Sequence, residues 1–84
     1  MKRIEWNEDK DRLLRETRGL SFEFFVEKIR NKDYKLKKNK NYPNQMIFVI
    51  EYNNYPHCIP FVEDDEKIFL KTIYPNRKLK KELI

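Results

Sequence analysis

The spacing of apolar residues changes near the middle of this chain. In the first third, Phe22, Phe25, Val26 and Ile29 stand at i, i+3, i+4 and i+7, which puts them on one face of a helix. Ser21 is placed to open that helix, with Leu20 and Phe25 at the two positions of a hydrophobic staple. The spacing predicts a helix over residues 22–31. Upstream, Asn7 offers an N-cap, and Glu8, Asp9 and Asp11 follow where carboxylates suit the helix dipole. Arg15 and Arg18 complement the other end, and Gly19 supplies a left-handed C-terminal residue. These signals predict a helix over 8–18, preceded by a short extended segment at Ile4-Glu5-Trp6. Only Gly19-Leu20-Ser21 lies between the two helices, so the chain turns sharply there.

The second half reads as strands. MIFVIEY, residues 46–52, is followed by Asn53-Asn54, a two-residue hairpin loop of a type that asparagine tolerates. YPHCIPFV, residues 55–62, then runs into the acidic turn 63–66 and a last strand over 67–74. Pro56 and Pro60 share parity, and the hairpin register turns both missing N–H donors away from strand 46–52. A bulge or an edge is expected on that side. Strict alternation along the last strand puts Ile68, Leu70, Thr72 and Tyr74 on one face, with Phe69, Lys71 and Ile73 on the other. The order predicts an α+β domain: a short N-terminal strand, two helices, then a three-stranded antiparallel meander in one sheet with the helices packed on one face. A short basic tail or helix closes the chain.

Size and charge narrow the picture. Eighty-four residues make one domain, 1–84, which buries roughly 60–65% of its unfolded surface. The chain is 39% charged, yet 14% of it is aromatic, which argues for a packed core rather than disorder. The formal charge of +5 favours an anionic partner: nucleic acid, an acidic protein or a membrane surface. Seven basic residues lie between Lys28 and Lys40 against the single acid Asp33. This stretch reads as an exposed basic loop with a weak strand at residues 34–36, or more plainly as a solvated linker. Cys58 is the one cysteine, so no internal disulfide forms, which suits a reducing compartment. No apolar run reaches membrane-spanning length and the N-terminus lacks a signal-peptide core. A cytoplasmic protein with no membrane partner is expected.

Candidate chemistry is sparse. With one glycine there is no phosphate-cradling loop, and one histidine with one cysteine leaves too few ligands for zinc. The acidic turn lacks the glycine-punctuated spacing of a calcium loop, so neither metal nor cofactor is expected. His57 and Cys58 are neighbours in a strand, point to opposite faces and form no dyad. Cys58 reads as core. His57 shares its face with Tyr55, Ile59 and Phe61; packing is its commoner role, and its ordinary pKa near neutrality keeps it a proton-transfer candidate. Lys71, set among strand formers, must reach solvent or meet an anion, because a lone buried ammonium is costly. Arg77 and Lys78 follow just beyond it. Lysine and arginine beside Phe69, Tyr42 or Tyr74 on a sheet face is the composition that holds single-stranded RNA through stacking and phosphate contacts.

Ile4-Glu5-Trp6-Asn7-Glu8-Asp9-Lys10 and Arg18-Gly19-Leu20-Ser21-Phe22-Glu23 resemble the opening of BrnT-type toxins, with an extended "EW" start, a charged helix and then "HG[VI]SFE". Phe61-Val62-Glu63-Asp64, followed by residues 68–78, is similar to that family's final strand and its "SARKA" or "PSRKA" segment. The resemblance runs in order along nearly the whole chain, the basic loop matching least. It implies a RelE-like fold and a type II toxin: a metal-independent endoribonuclease that inhibits growth and is neutralised by a BrnA-like antitoxin. In such an enzyme Arg77 and Lys71 stabilise phosphate, while Tyr74 and His57 are candidates for proton transfer. Lys78, Tyr42, Arg18, Lys37, Lys38 and Lys40 are candidates for binding RNA. Thr17 and Arg18 stand where the family often carries Lys-His, and Leu79 where a small residue is usual. The rival reading is a non-catalytic basic module that binds nucleic acid or an acidic protein.

Overall fold

A computed structural model describes residues 2–79. Its elements in chain order are β1 (Arg3–Trp6), α1 (Glu8–Arg18), α2 (Glu23–Arg30), β2 (Lys35–Lys38), β3 (Met46–Tyr52), β4 (Tyr55–Glu63), β5 (Lys67–Leu70), β6 (Tyr74–Pro75) and a 3-10 turn at Arg77–Leu79. The strands form one mixed sheet in the order β1-β5-β4-β3-β2, with β6 also paired to β4. β1 runs parallel to β5, and the β2-β3-β4-β5 pairings are antiparallel. The protein is α+β, and the expected meander β3-β4-β5 sits inside a wider sheet. Among the described residues no helix is long and apolar enough to cross a membrane.

The helical signals act as their chemistry requires. Asn7 Oδ1 accepts the Lys10 N–H at 3.0 Å, capping α1. Gly19 adopts φ 65°, and its N–H and that of Leu20 return to the carbonyls of Arg15 and Leu14. Ser21 Oγ accepts the Glu23 N–H at 3.3 Å as α2 begins. Leu14, Phe22, Phe25 and Ile29 from the helical half cover Phe48, Ile50, Ile59, Phe61 and Leu70 on one face of the sheet. The opposite face carries a smaller cluster of Ile47, Val49, Cys58 and Leu79, with Tyr74 against it.

Asn53 and Asn54 take φ of 54° and 61°, the conformation of a type I′ turn. The β3–β4 register then follows pair by pair from Tyr52↔Tyr55 to Met46↔Phe61. Both prolines of β4 lie with their missing donors turned from β3, and their carbonyls are used on that side. The Pro60 carbonyl accepts the Lys71 N–H at 2.8 Å, and the Pro56 carbonyl accepts the Asn76 N–H at 3.0 Å.

One expectation is corrected. The last strand does not run unbroken over 67–74. Phe61↔Leu70 and Cys58↔Tyr74 differ in register by one residue, so Thr72 and Ile73 together oppose Ile59. This is a bulge, and it falls beside Pro60, which has no N–H to extend the ladder. Because the bulge adds one residue, parity inverts beyond it: Ile73 enters the helix-side core, and Tyr74 joins the face of Cys58 and Lys71. The stretch expected as a basic loop contains β2, paired along Lys35↔Val49 to Lys38↔Met46; the Tyr34 ring, 4.5 Å from that of Phe48, anchors its start. The basic C-terminal element is a 3-10 turn through Arg77 and Lys78, whereas Lys80 and Lys81 lie outside the described residues.

Candidate functional site

The bulge decides which side chains meet. Lys71 stands opposite Pro60 and Tyr74 opposite Cys58, so both point to the face away from the helices. With Tyr42, Asn39, Gln45 and Thr72 they line an open cleft of about 590 Å³. The loop 39–45 that forms its far wall is braced by its own amides. Asn39 Nδ2 donates to Gln45 Oε1 at 3.2 Å, and the Gln45 N–H donates to the Tyr42 carbonyl at 2.9 Å. Tyr42 is left 58% exposed at the rim. Lys71 reaches solvent, with Nζ 5.1 Å from the centroid of the Phe69 ring, a favourable perch for an ammonium. Burial raises the Tyr74 phenol above its ordinary pKa, and the Cys58 thiol beside it adds to the shift. Tyr74 is therefore a protonated donor at neutral pH.

Tyr74 also borders a second cleft, of about 490 Å³, with Arg18, Leu20, His57 and Pro75. His57 is 7% exposed, and its ring lies among those of Phe25, Tyr52 and Tyr55 at 5.6, 5.7 and 6.1 Å. Burial lowers its pKa, partly offset by the bond to the Tyr55 backbone. His57 Nδ1 is 2.9 Å from the Tyr55 carbonyl oxygen. A carbonyl can only accept, so Nδ1 carries the proton and Nε2 is the nitrogen left to titrate. Arg18 Nη1 donates to the Ile73 carbonyl at 2.8 Å, clamping the end of α1 to the bulge.

The predicted cations fall in four places. Lys71 is in the first cleft and Arg18 in the second. Arg77 and Lys78 line neither; they are exposed on the 3-10 turn, which Leu79 anchors in the small core and Asn76 Oδ1 braces through the Lys78 N–H. Lys37 lies on the helix-free face opposite Ile47, Lys38 on the other face opposite Met46, and Lys40 beyond the strand. Sequence reading passed over Asn39, Gln45 and Thr72, whose signal was their place beside Tyr42 and Lys71 across the sheet. Asp11, a buried carboxylate, carries no sign of its burial in the spacing. The chain matches no family model, no curated protein and no solved structure with which it was compared.

Proposed function

We propose that this protein binds single-stranded RNA across its helix-free face and cleaves it as the metal-independent ribonuclease of a toxin–antitoxin pair. The observation that carries the reading is the meeting of Lys71, Tyr74 and exposed Tyr42 in one cleft. Tyr42 offers a stacking surface for a base, and Lys71 a positive charge for the phosphate next to it. The fixed turn bearing Arg77 and Lys78 extends the cationic track for the backbone.

The reaction is an in-line displacement. The ribose 2′-oxygen attacks the adjacent phosphorus as its proton passes to water, because His57, on the helix side of β4 and in the second cleft, does not face this phosphate. Lys71 stabilises the charge that builds on the phosphoryl oxygens. The 5′-oxygen leaves with a proton from the Tyr74 hydroxyl, giving a 2′,3′-cyclic phosphate and a 5′-hydroxyl. An antitoxin that covers the same basic face would silence the enzyme by occlusion.

The test is a chelator-treated assay on a labelled single-stranded RNA and on the same strand with 2′-deoxy sugars. Cleavage of the first alone, with a cyclic-phosphate end, is expected. Tyr74→Phe and Lys71→Ala are expected to slow it by about 10²-fold each. Binding of RNA without any cleavage by folded protein would reject the enzyme. That outcome would favour a non-catalytic RNA-binding module, a reading to which His57, enclosed by three rings, and Arg18, spent on the Ile73 carbonyl, lend weight.

A further inference from the structure

We propose that the outer edge of β2 is a docking site for an extended acidic segment of a partner protein, which adds to the sheet as a further strand. In an antiparallel ladder, successive residues of a strand turn their N–H and C=O groups alternately to one neighbour and the other. The Asn39 N–H donates to the Gln45 carbonyl in the continuing β2–β3 register. Asn39↔Gln45 is therefore a hydrogen-bonded pair, and so, two and four residues back, are Lys37↔Ile47 and Lys35↔Val49. Leu36 and Lys38 turn the other way. Their N–H and C=O groups face outward, and β2 ends the strand order, with β3 as its one partner among the described residues.

Side chains say which strand fits. Leu36 is 52% exposed in the middle of this edge, and Lys38 and Lys40 are exposed around it. Lysines on an edge normally keep two copies from pairing. They do the same here, since two KLKK strands repel, but simple protection has no use for a bare leucine between the charges. An incoming strand that sets an apolar residue opposite Leu36 and acidic residues two and four positions further along the same face, toward Lys38 and Lys40, satisfies every feature at once. Its backbone pairs with the outward groups of Leu36 and Lys38, an apolar side chain covers Leu36, and carboxylates meet the lysines. The other sheet edge makes no such offer: on β1, Arg3 and Glu5 already pair with each other at 2.8 Å. A strand on β2 would also lie against the loop that carries Asn39, Tyr42 and Gln45 to the cleft. The inference stands whether or not the chain cleaves RNA.

The full chain, labelled with ¹⁵N, is titrated at low salt with a synthetic peptide that carries one valine, glutamates two and four residues from it, and threonines between them. Two further peptides carry N-methyl groups on one or the other set of alternate amides, which removes the donors of one edge only. Saturable binding is expected, with the amides of Leu36 and Lys38 moving more than those of Lys35 and Lys37. One N-methylated peptide should bind about tenfold more weakly than the other, and Leu36→Glu, an exposed change, should weaken the unmodified peptide by a similar factor. Equal affinity of both N-methylated peptides would mean charge attraction alone and overturn the proposal. So would the absence of binding, self-association through these amides, or an oligouridine that moves them when the peptide does not.

Discussion

Asp11 is an aspartate in the first turns of a polar helix, a place where exposure is the rule, yet it is 1% exposed. Its Oδ1 accepts the Phe22 N–H at 2.9 Å and the Ser21 hydroxyl at 3.0 Å, and Oδ2 accepts two guanidinium bonds from Arg15. One carboxylate thus ties α1 to the start of α2 and satisfies an amide that the helix itself leaves unpaired. Burial alone would raise its pKa, but the Phe22 amide, Arg15 and Ser21 outweigh burial, and the carboxyl is held below its ordinary value. With the folded pKa lowered, this contribution is complete above the unfolded value near 4 and is lost as pH falls through the folded value. Asp11→Ala strands the hydroxyl and the amide without an acceptor, and should cost about 2–4 kcal/mol in urea unfolding at pH 7. Repeating the unfolding over a series of pH values stepping down from 5 should show the gap between wild type and variant narrowing once pH passes below the unfolded value; a gap that stays constant throughout would mean the loss is one of packing.

At the scale of elements, the bulge between β5 and β6 is the decisive feature, and Arg18 holds it from the end of α1. Arg18→Ala frees the Ile73 carbonyl and should lower stability by about 1 kcal/mol. Hydrogen exchange at residues 72–74 should accelerate while exchange at the centre of β3 changes only with global stability. Uniform acceleration through both strands would deny Arg18 a local role. Gly19, one residue on, shows the other kind of constraint. No atom lies within 4 Å of where a Cβ would sit, but its φ is 65°. Gly19→Ala therefore tests backbone conformation without a clash, and should destabilise by about 1 kcal/mol.

For the molecule as a whole, the two faces of the sheet have different tasks. One is covered by α1 and α2. The other carries only a small core around Cys58 and keeps Lys71, Tyr74 and the Arg77–Leu79 turn near its surface. Lys71→Ala distinguishes the uses of that face. In a nuclease it should reduce the cleavage rate by about 10²-fold or more with little change in RNA affinity. In a module that only binds, affinity should fall together with the salt dependence, the slope dropping by about one. Electrophoretic mobility shifts across a salt series, run beside the cleavage assay, read both quantities.

Local chemistry determined much of this protein. Asn7, Gly19 and the 3-4 spacing of Phe22 to Ile29 define both helices because caps and amphipathic faces act within a few residues. Asn53-Asn54 sets the β3–β4 register for the same reason, and that register turns the donor gaps of Pro56 and Pro60 toward a bulge. What tertiary structure alone decided is how far that bulge reaches. A single extra residue opposite Ile59 inverts every later side chain, so Tyr74 joins Lys71 instead of facing away from it. Strict alternation carries no sign of such an insertion. Nor does spacing reveal Asp11 reaching Phe22, β2 recruited by β3, or Arg18 reaching Ile73, because each depends on groups brought together only when the helices close over the sheet.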